Sequence, residues 1–276
     1  MLMQRVITAI VLLAILVGTL SISEAAFLLA ISVAFSVTLF EWLRIEKVSF
    51  GLALLIAIVA FLPMAWISTT GIKPEGSLFL GLNLVVSAFW LALTAVCFNA
   101  RKTGFRLRRT TSIFLAFLFV AATFLSLVWL MREGGWPLVL SVFAIVWVAD
   151  IFAYFFGIAF GKHRMAPAIS PKKSWEGAAG AYGCAFLVAF LAWMFLPHEV
   201  VLTSRLFAAM GPVAGVLVVF ILVSVSIAGD LFESDLKRQS GVKDSGKLLP
   251  GHGGFYDRLD SAVAVFPVAT TLLLIL

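Results

Sequence analysis

Residues 111–131 read TSIFLAFLFVAATFLSLVWLM, 21 positions without a charge. As a helix rising 1.5 Å per residue they cover about 31 Å, the depth of a bilayer's hydrocarbon core. Arg132-Glu133-Gly134-Gly135 interrupts, and a second apolar run, 136–156, follows with one charge, Asp150. Working outward, comparable runs fall at 6–22, 25–40, 50–68, 78–98, 178–196, 207–228 and 261–276. Hydrophobic residues make up 62% of the 276 positions and charged residues 12%, with a mean hydropathy of +1.11. A soluble domain could not cover its surface with so few polar groups. The chain therefore reads as an all-α polytopic integral membrane protein of about nine transmembrane helices. The runs at 25–40 and 261–276 are short, so their status as full spans is the weakest part of that count.

Charge placement supports the count. With nine spans and a cytoplasmic N-terminus, 17 of the 20 lysines and arginines fall on the cytoplasmic side, and only Lys73, Arg132 and Arg205 fall outside. That asymmetry is what the positive-inside rule requires. The basic run from Arg101 to Arg109 reads as one such anchor. The net charge of +6 follows from the topology, so no nucleic-acid partner is implied, although a basic cytoplasmic face attracts anionic lipid. A signal-peptide reading of the N-terminus competes, with Arg5, an apolar run and small residues at 21–26, but that run exceeds the usual signal core. It reads better as a retained first span. Cys97 and Cys184 both lie in spans without paired spacing and read as small apolar fillers. No internal repeat is visible.

The chain divides into N-terminal transmembrane helices, 1–135, and a C-terminal region, 136–276, carrying two unusual cytoplasmic loops. The first, 156–177, includes Lys162, His163, Arg164 and then Ser170-Pro-Lys-Lys-Ser-Trp-Glu-Gly177. Lys172 and Lys173, with Ser170, Ser174 and backbone N–H groups at a helix start, could hold phosphate; a plain basic anchor with an interfacial Trp is the simpler alternative. The second loop, 229–260, packs nine charged residues into the 27 positions from Ser234 to Asp260. If helix continues past Asp230, then Ser234 at i+4 and Lys237 at i+7 share its face. Further on, Pro250 and the glycines at 251, 253 and 254 allow a tight turn. Asp257 and Asp260 then stand at i and i+3. Carboxylates hold hard cations, Lys and Arg hold phosphate oxygens, and glycines let backbone N–H groups approach both. His252 is open to three readings: acid–base group, phosphate donor or turn residue. Asp150, about 21 Å along its helix from Trp136, should approach the cytoplasmic headgroups, with Tyr154 on the same face. His163 and His198 read as surface residues.

The Ser234–Asp260 stretch resembles, at every position, the signature of the phosphatidate cytidylyltransferases (CDP-diacylglycerol synthases). Ser170–Gly177 and the Asp150…Tyr154 pair resemble that family's other conserved region. The resemblance implies transfer of CMP from CTP to phosphatidic acid, giving CDP-diacylglycerol and pyrophosphate, with Mg2+ required and K+ as a further expectation. It also implies a multi-span homodimer in the bacterial inner membrane, its site open to the cytosol and the bilayer. By position, Asp230 and Asp257 would be the leading metal ligands, with Asp260, Asp244 and Asp150 completing the acidic cluster. Lys172, Lys173, Lys237, Arg238, Lys243 and Arg258 would offset phosphate charge, beside Ser170, Ser174, Ser234, Gly253, Gly254 and His252. Two rivals predict other outcomes: a CTP-dependent lipid kinase would release CDP, and an ion-coupled transporter would place its ionisable residues near the bilayer midplane.

Overall fold

A computed structural model of the chain describes residues 2–99 and 107–276. Arg101, Lys102 and Arg106 of the basic run thus lie outside the described residues, while Arg108 and Arg109 open the helix that follows. In chain order the helices are α1 (Leu2–Ile22), α2 (Glu24–Ile45), α3 (Phe50–Thr70), α4 (Ser77–Asn99), α5 (Arg109–Phe160), α6 (Trp175–Phe195), α7 (Leu202–Met210), α8 (Pro212–Ser240) and α9 (Tyr256–Ile275). Among the described residues, seven of these are long and apolar enough to cross a membrane. The exceptions are α1, whose apolar part is shorter, and the nine-residue α7.

The two segments that flank Arg132–Gly135 are arms of one 52-residue element, α5. Its break is at Gly135, with φ 69° and ψ −168°, a combination open only to glycine. Pro137, two residues later, contributes no N–H to the helix ladder. At 1.5 Å per residue the element would measure about 78 Å unbroken, more than twice the hydrocarbon thickness.

Four features depart from the sequence reading. The short run 25–40 extends at both ends to Glu24–Ile45, because Ser23 caps it by accepting from the Ala26 amide at 3.0 Å and Glu41-Trp42 continue the helix. The short last run likewise gains five residues at its start. The run at 207–228 is not one helix: Gly211, at φ 81°, and Pro212 end α7 and start the membrane-length α8, which then continues past Asp230 to Ser240. Finally, the loop after α5 holds an antiparallel hairpin, β1 (Arg164–Ala166) and β2 (Ser170–Ser174), where an all-helical chain was expected.

Charged side chains gather at the two ends of the bundle. At one end Arg132 meets Glu24 at 2.6 Å, Lys73 meets Glu133 at 2.6 Å and Glu75 at 3.3 Å, and Arg205 meets Glu133 at 3.7 Å. The hydrogen bond that the Lys73 ammonium donates to Glu133 raises its pKa above the usual value. Lys73, Arg132 and Arg205 are the three cations that the sequence placed outside. The opposite end carries the hairpin and the 229–260 segment.

Lipid is as apolar as Leu, so helix association here rests on close packing and interhelical hydrogen bonds. Asn83 accepts from Ser126 at 2.7 Å, Ser87 and Thr271 lie 2.8 Å apart, Ser32 and Ser68 3.0 Å, and Trp42 donates to Ser112 at 3.0 Å. Where α6 crosses α5 the backbones approach so closely that a methyl at Gly177 would stand 2.6 Å from the Ala153 carbonyl. The two halves of the chain share one interior, with α4 packed on α8 and α9 and α2 on α9. Trp42, Phe89, Trp90, Phe119, Phe232 and Tyr256 form an aromatic cluster in it. Trp42 stacks on Tyr256 with ring centroids 4.7 Å apart. Tyr256 opens α9, so this cluster is the floor beneath the charged segment.

Candidate active site

Because α8 stays helical through Ser240, Asp230, Ser234 and Lys237 do share a stripe, and the Ser234 hydroxyl donates to Asp230 Oδ1 at 3.2 Å. Lys237 reaches sideways from it. Its Nζ lies 2.6 Å from Asp257 Oδ1 and 2.5 Å from Glu233 Oε2, tying α8 to the start of α9.

Asp257 is the best-anchored carboxylate of the site. Its Oδ2 accepts from the Gly254 amide at 2.8 Å, the Ser245 amide at 2.9 Å and the Ser245 hydroxyl at 3.0 Å. Gly253 allows this wrap: its φ is +84°, and a Cβ there would stand 2.5 Å from Asp257 Oδ2. The loop 241–255 is thus folded around one carboxylate by backbone donors. His252 belongs to the turn, its amide donating to the Leu249 carbonyl at 2.9 Å. Arg258, Lys243 and Asp244 are exposed at the rim.

The other loop contributes through β2. Successive strand residues point to opposite faces, so Lys172 is exposed while Lys173 turns inward, its Nζ 2.7 Å from Asp230 Oδ2. The pair treated alike in the sequence is divided by strand geometry. Ser170 is half-buried at the start of the strand. Ser174 caps α6, its hydroxyl accepting from the Gly177 amide at 3.2 Å. Arg238 is exposed, and its Nε donates to the Ile169 carbonyl at 3.5 Å, a second tie between α8 and the hairpin.

Asp150 from α5 and Asp260 from α9 complete the arrangement. Asp260 lies within electrostatic range of both Asp230 and Asp150, and Lys173 lies within range of all three. Asp150 is exposed and Asp230 and Asp260 are half-buried, so the three carboxylates line a cleft open at the surface.

Charge bears on whether a divalent cation fits. Five carboxylates, Asp150, Asp230, Glu233, Asp257 and Asp260, gather about two inward lysines, Lys173 and Lys237. That negative excess, presented by hard oxygen donors, suits Mg2+. Among the described residues no three His, Cys, Asp or Glu side chains converge as a closed metal centre. Mg2+ needs none, because it takes one or two carboxylates and fills its octahedron with water and substrate phosphate. One or two of Asp230, Asp257 and Asp260 could fill that role, Asp257 through the Oδ1 that Lys237 also contacts.

Two acidic residues of the site escaped the sequence reading. Glu233 stands one residue before the Ser234–Asp260 stretch, yet it is 1% exposed and paired with Lys237. Glu41 sits one residue past the run 25–40. It is 2% exposed inside α2, and its Oε2 accepts from the Ser245 hydroxyl and the Tyr256 amide, each at 2.9 Å. The signal lay in the shortness of that run: one more helical turn brings Glu41 into the bilayer-spanning helix.

The fold and this cleft define a polytopic membrane protein with a lysine-bridged acidic site at one end of the bundle. The chain belongs to the cytidylyltransferase family, whose profile matches residues 3–276. It is 38% identical to the phosphatidate cytidylyltransferase of Pseudomonas aeruginosa, over 99% of this chain and 97% of that one. The enzymes of the same name from Haemophilus influenzae and Staphylococcus haemolyticus are 34% and 30% identical, over 97% and 98% of this chain and 96% and 98% of theirs.

Proposed function

We infer that this chain is a phosphatidate cytidylyltransferase, transferring CMP from CTP to phosphatidic acid and releasing pyrophosphate. The observation that carries the reading is the joining of the two polar segments, 164–174 and 230–260, across one acidic cleft by Lys173 and Asp230 at 2.7 Å. Relatives of that name along the whole length of the chain support it. Phosphatidate's phosphate is already an anion, so its attack on the α-phosphorus of CTP needs no strong base. A new P–O bond forms from the lipid phosphate, the α–β bridge breaks, and pyrophosphate leaves with the electron pair. The obstacle is the meeting of two polyanions.

The residues address that obstacle in distinct ways. Lys173, held at the cleft by Asp230, is placed to take a phosphate oxygen in exchange for its carboxylate. Lys237 and the rim cations Arg238, Lys243, Arg258 and Lys172 lower the negative potential that CTP must enter. The glycine turn at 253–254 brings backbone to the cleft edge, with Ser234 and His252 as further donors. Mg2+, held by one or two of Asp230, Asp257 and Asp260 with Asp150 and Asp244 as further members of the acidic cluster, would neutralise developing charge on the phosphates when bound. Nine crossings, counting α1 and both arms of α5, with an N-terminus and site on the cytoplasmic side of a bacterial inner membrane, fit the distribution of basic residues. Homodimerisation and a K+ requirement complete the proposal.

Purified protein supplied with phosphatidic acid and CTP labelled at either the α- or the γ-phosphate tests the reaction type. Nucleotidyl transfer puts α-label, and no γ-label, into lipid. Label in lipid from γ-CTP only would replace this reading with a lipid kinase.

A further inference from the structure

We infer that Glu41, far from the signature segments in sequence, is a positioning residue that locks the 245–257 loop and through it Asp257; this role rests on the cytidylyltransferase reading. Its Oε2 takes two hydrogen bonds across 204 and 215 residues of chain, from the Ser245 hydroxyl and the Tyr256 amide. The same Ser245 holds Asp257 Oδ2 through both its hydroxyl and its amide, and Asp257 follows Tyr256 directly. Glu41 therefore grips the loop at Ser245 and again at Tyr256, the two ends of the segment that leads into Asp257, without a hydrogen bond to Asp257 itself.

The surroundings are built for that carboxylate. Its Oε1 is buried with no hydrogen-bond partner and lies against Gly246 and Gly254. A methyl at either glycine would overlap the carboxylate. Next in α2, Trp42 stacks on Tyr256 and donates to Ser112. The end of α2 thus fixes the first residue of α9 by ring and by hydrogen bond together. No ion pair of Glu41 is present among the described residues. A carboxylate buried without a cation is costly, so packing alone would favour an apolar residue here. The arrangement makes sense if the cost secures the geometry of the loop. In this way the N-terminal half, which bears no recognisable motif, contributes directly to the site.

The test compares Glu41→Ala, Glu41→Gln and Gly246→Ala in the full-length detergent-solubilised protein, reading turnover per folded molecule and amide exchange of the 244–257 segment. Loss of such a supporting partner typically costs about 10–100-fold in activity, so Glu41→Ala should fall by that much while Glu41→Gln, which keeps the accepting oxygen, stays within about threefold of wild type. Exchange across 244–257 should quicken in Glu41→Ala and remain slow in Glu41→Gln. Gly246→Ala should lower turnover when Glu41 is present and cost little further in a Glu41→Ala background, since the three atoms nearest the added methyl all belong to Glu41. If Glu41→Ala does not fold, Gly246→Ala and Glu41→Gln carry the test. Wild-type turnover in Glu41→Ala, unchanged exchange at 244–257 in both perturbing variants, or equal loss in Glu41→Gln would overturn the assignment. Failure of the wild-type protein itself to make CDP-diacylglycerol would instead remove the functional reading, with the exchange data still reporting on the lock.

Discussion

Gly253→Ala should cripple the protein for two reasons that can be separated. The left-handed backbone at φ +84° costs an alanine about 1–2 kcal/mol. The new methyl would also stand 2.5 Å from Asp257 Oδ2, so the carboxylate must retreat by about 1 Å to reach ordinary contact distance. That oxygen accepts three hydrogen bonds, and losing even one such charge-assisted bond costs about 1.5–3 kcal/mol. The sum is roughly 2.5–5 kcal/mol, and a misplacement of about 1 Å at a reacting site can lower the rate about 100-fold. Gly241→Ala is the control. Gly241 has φ +74° but no neighbour within 4 Å of an added Cβ, so it reports the backbone cost alone. Turnover and thermal unfolding of both variants in detergent should show both destabilised and only Gly253→Ala severely slowed. Equal turnover in the two variants would refute the claim that the glycine serves the Asp257 carboxylate.

Strand alternation in β2 makes Lys173→Met cost about 100–1000-fold in turnover, as loss of a transition-state contact does, while Lys172→Met costs only a few-fold; parallel initial-rate assays decide it. Gly135→Ala, at a backbone conformation reserved for glycine, should lower stability by about 1–3 kcal/mol, read as a fall in the thermal midpoint, with turnover of the folded fraction unchanged. The Thr8 hydroxyl donates to the Pro250 carbonyl at 2.8 Å, so Thr8→Val should weaken the hold of α1 on the site loop by about 0.5–1.5 kcal/mol, seen as faster amide exchange at 247–253.

Composition made the helical membrane fold legible, because long uncharged runs admit little else, and the density of charge in 234–260 pointed to the site. What stayed hidden depends on contacts rather than on pattern. The periodicity of an apolar run does not reveal that Gly211-Pro212 divides it, nor that α2 continues through Glu41. The Lys172–Lys173 pair is alike in sequence and unlike in space, since only the unforeseen hairpin turns one lysine inward. Asp257 was read as a metal ligand from its neighbours in the chain; the structure adds that four donors from its own loop and α8 already surround it. Glu41 could not be found from the signature, as its partners lie more than 200 residues away.

The central claim is that the Lys173–Asp230–Asp260 cleft is the reaction centre, and turnover of Asp230→Asn tests it most directly. Asparagine keeps the shape and can still accept from Ser234, so the fold should survive while the charge that orients Lys173 is lost. The account predicts a well-folded protein whose CDP-diacylglycerol synthesis from CTP and phosphatidic acid falls at least about 100-fold. Near-wild-type synthesis by that variant would contradict it.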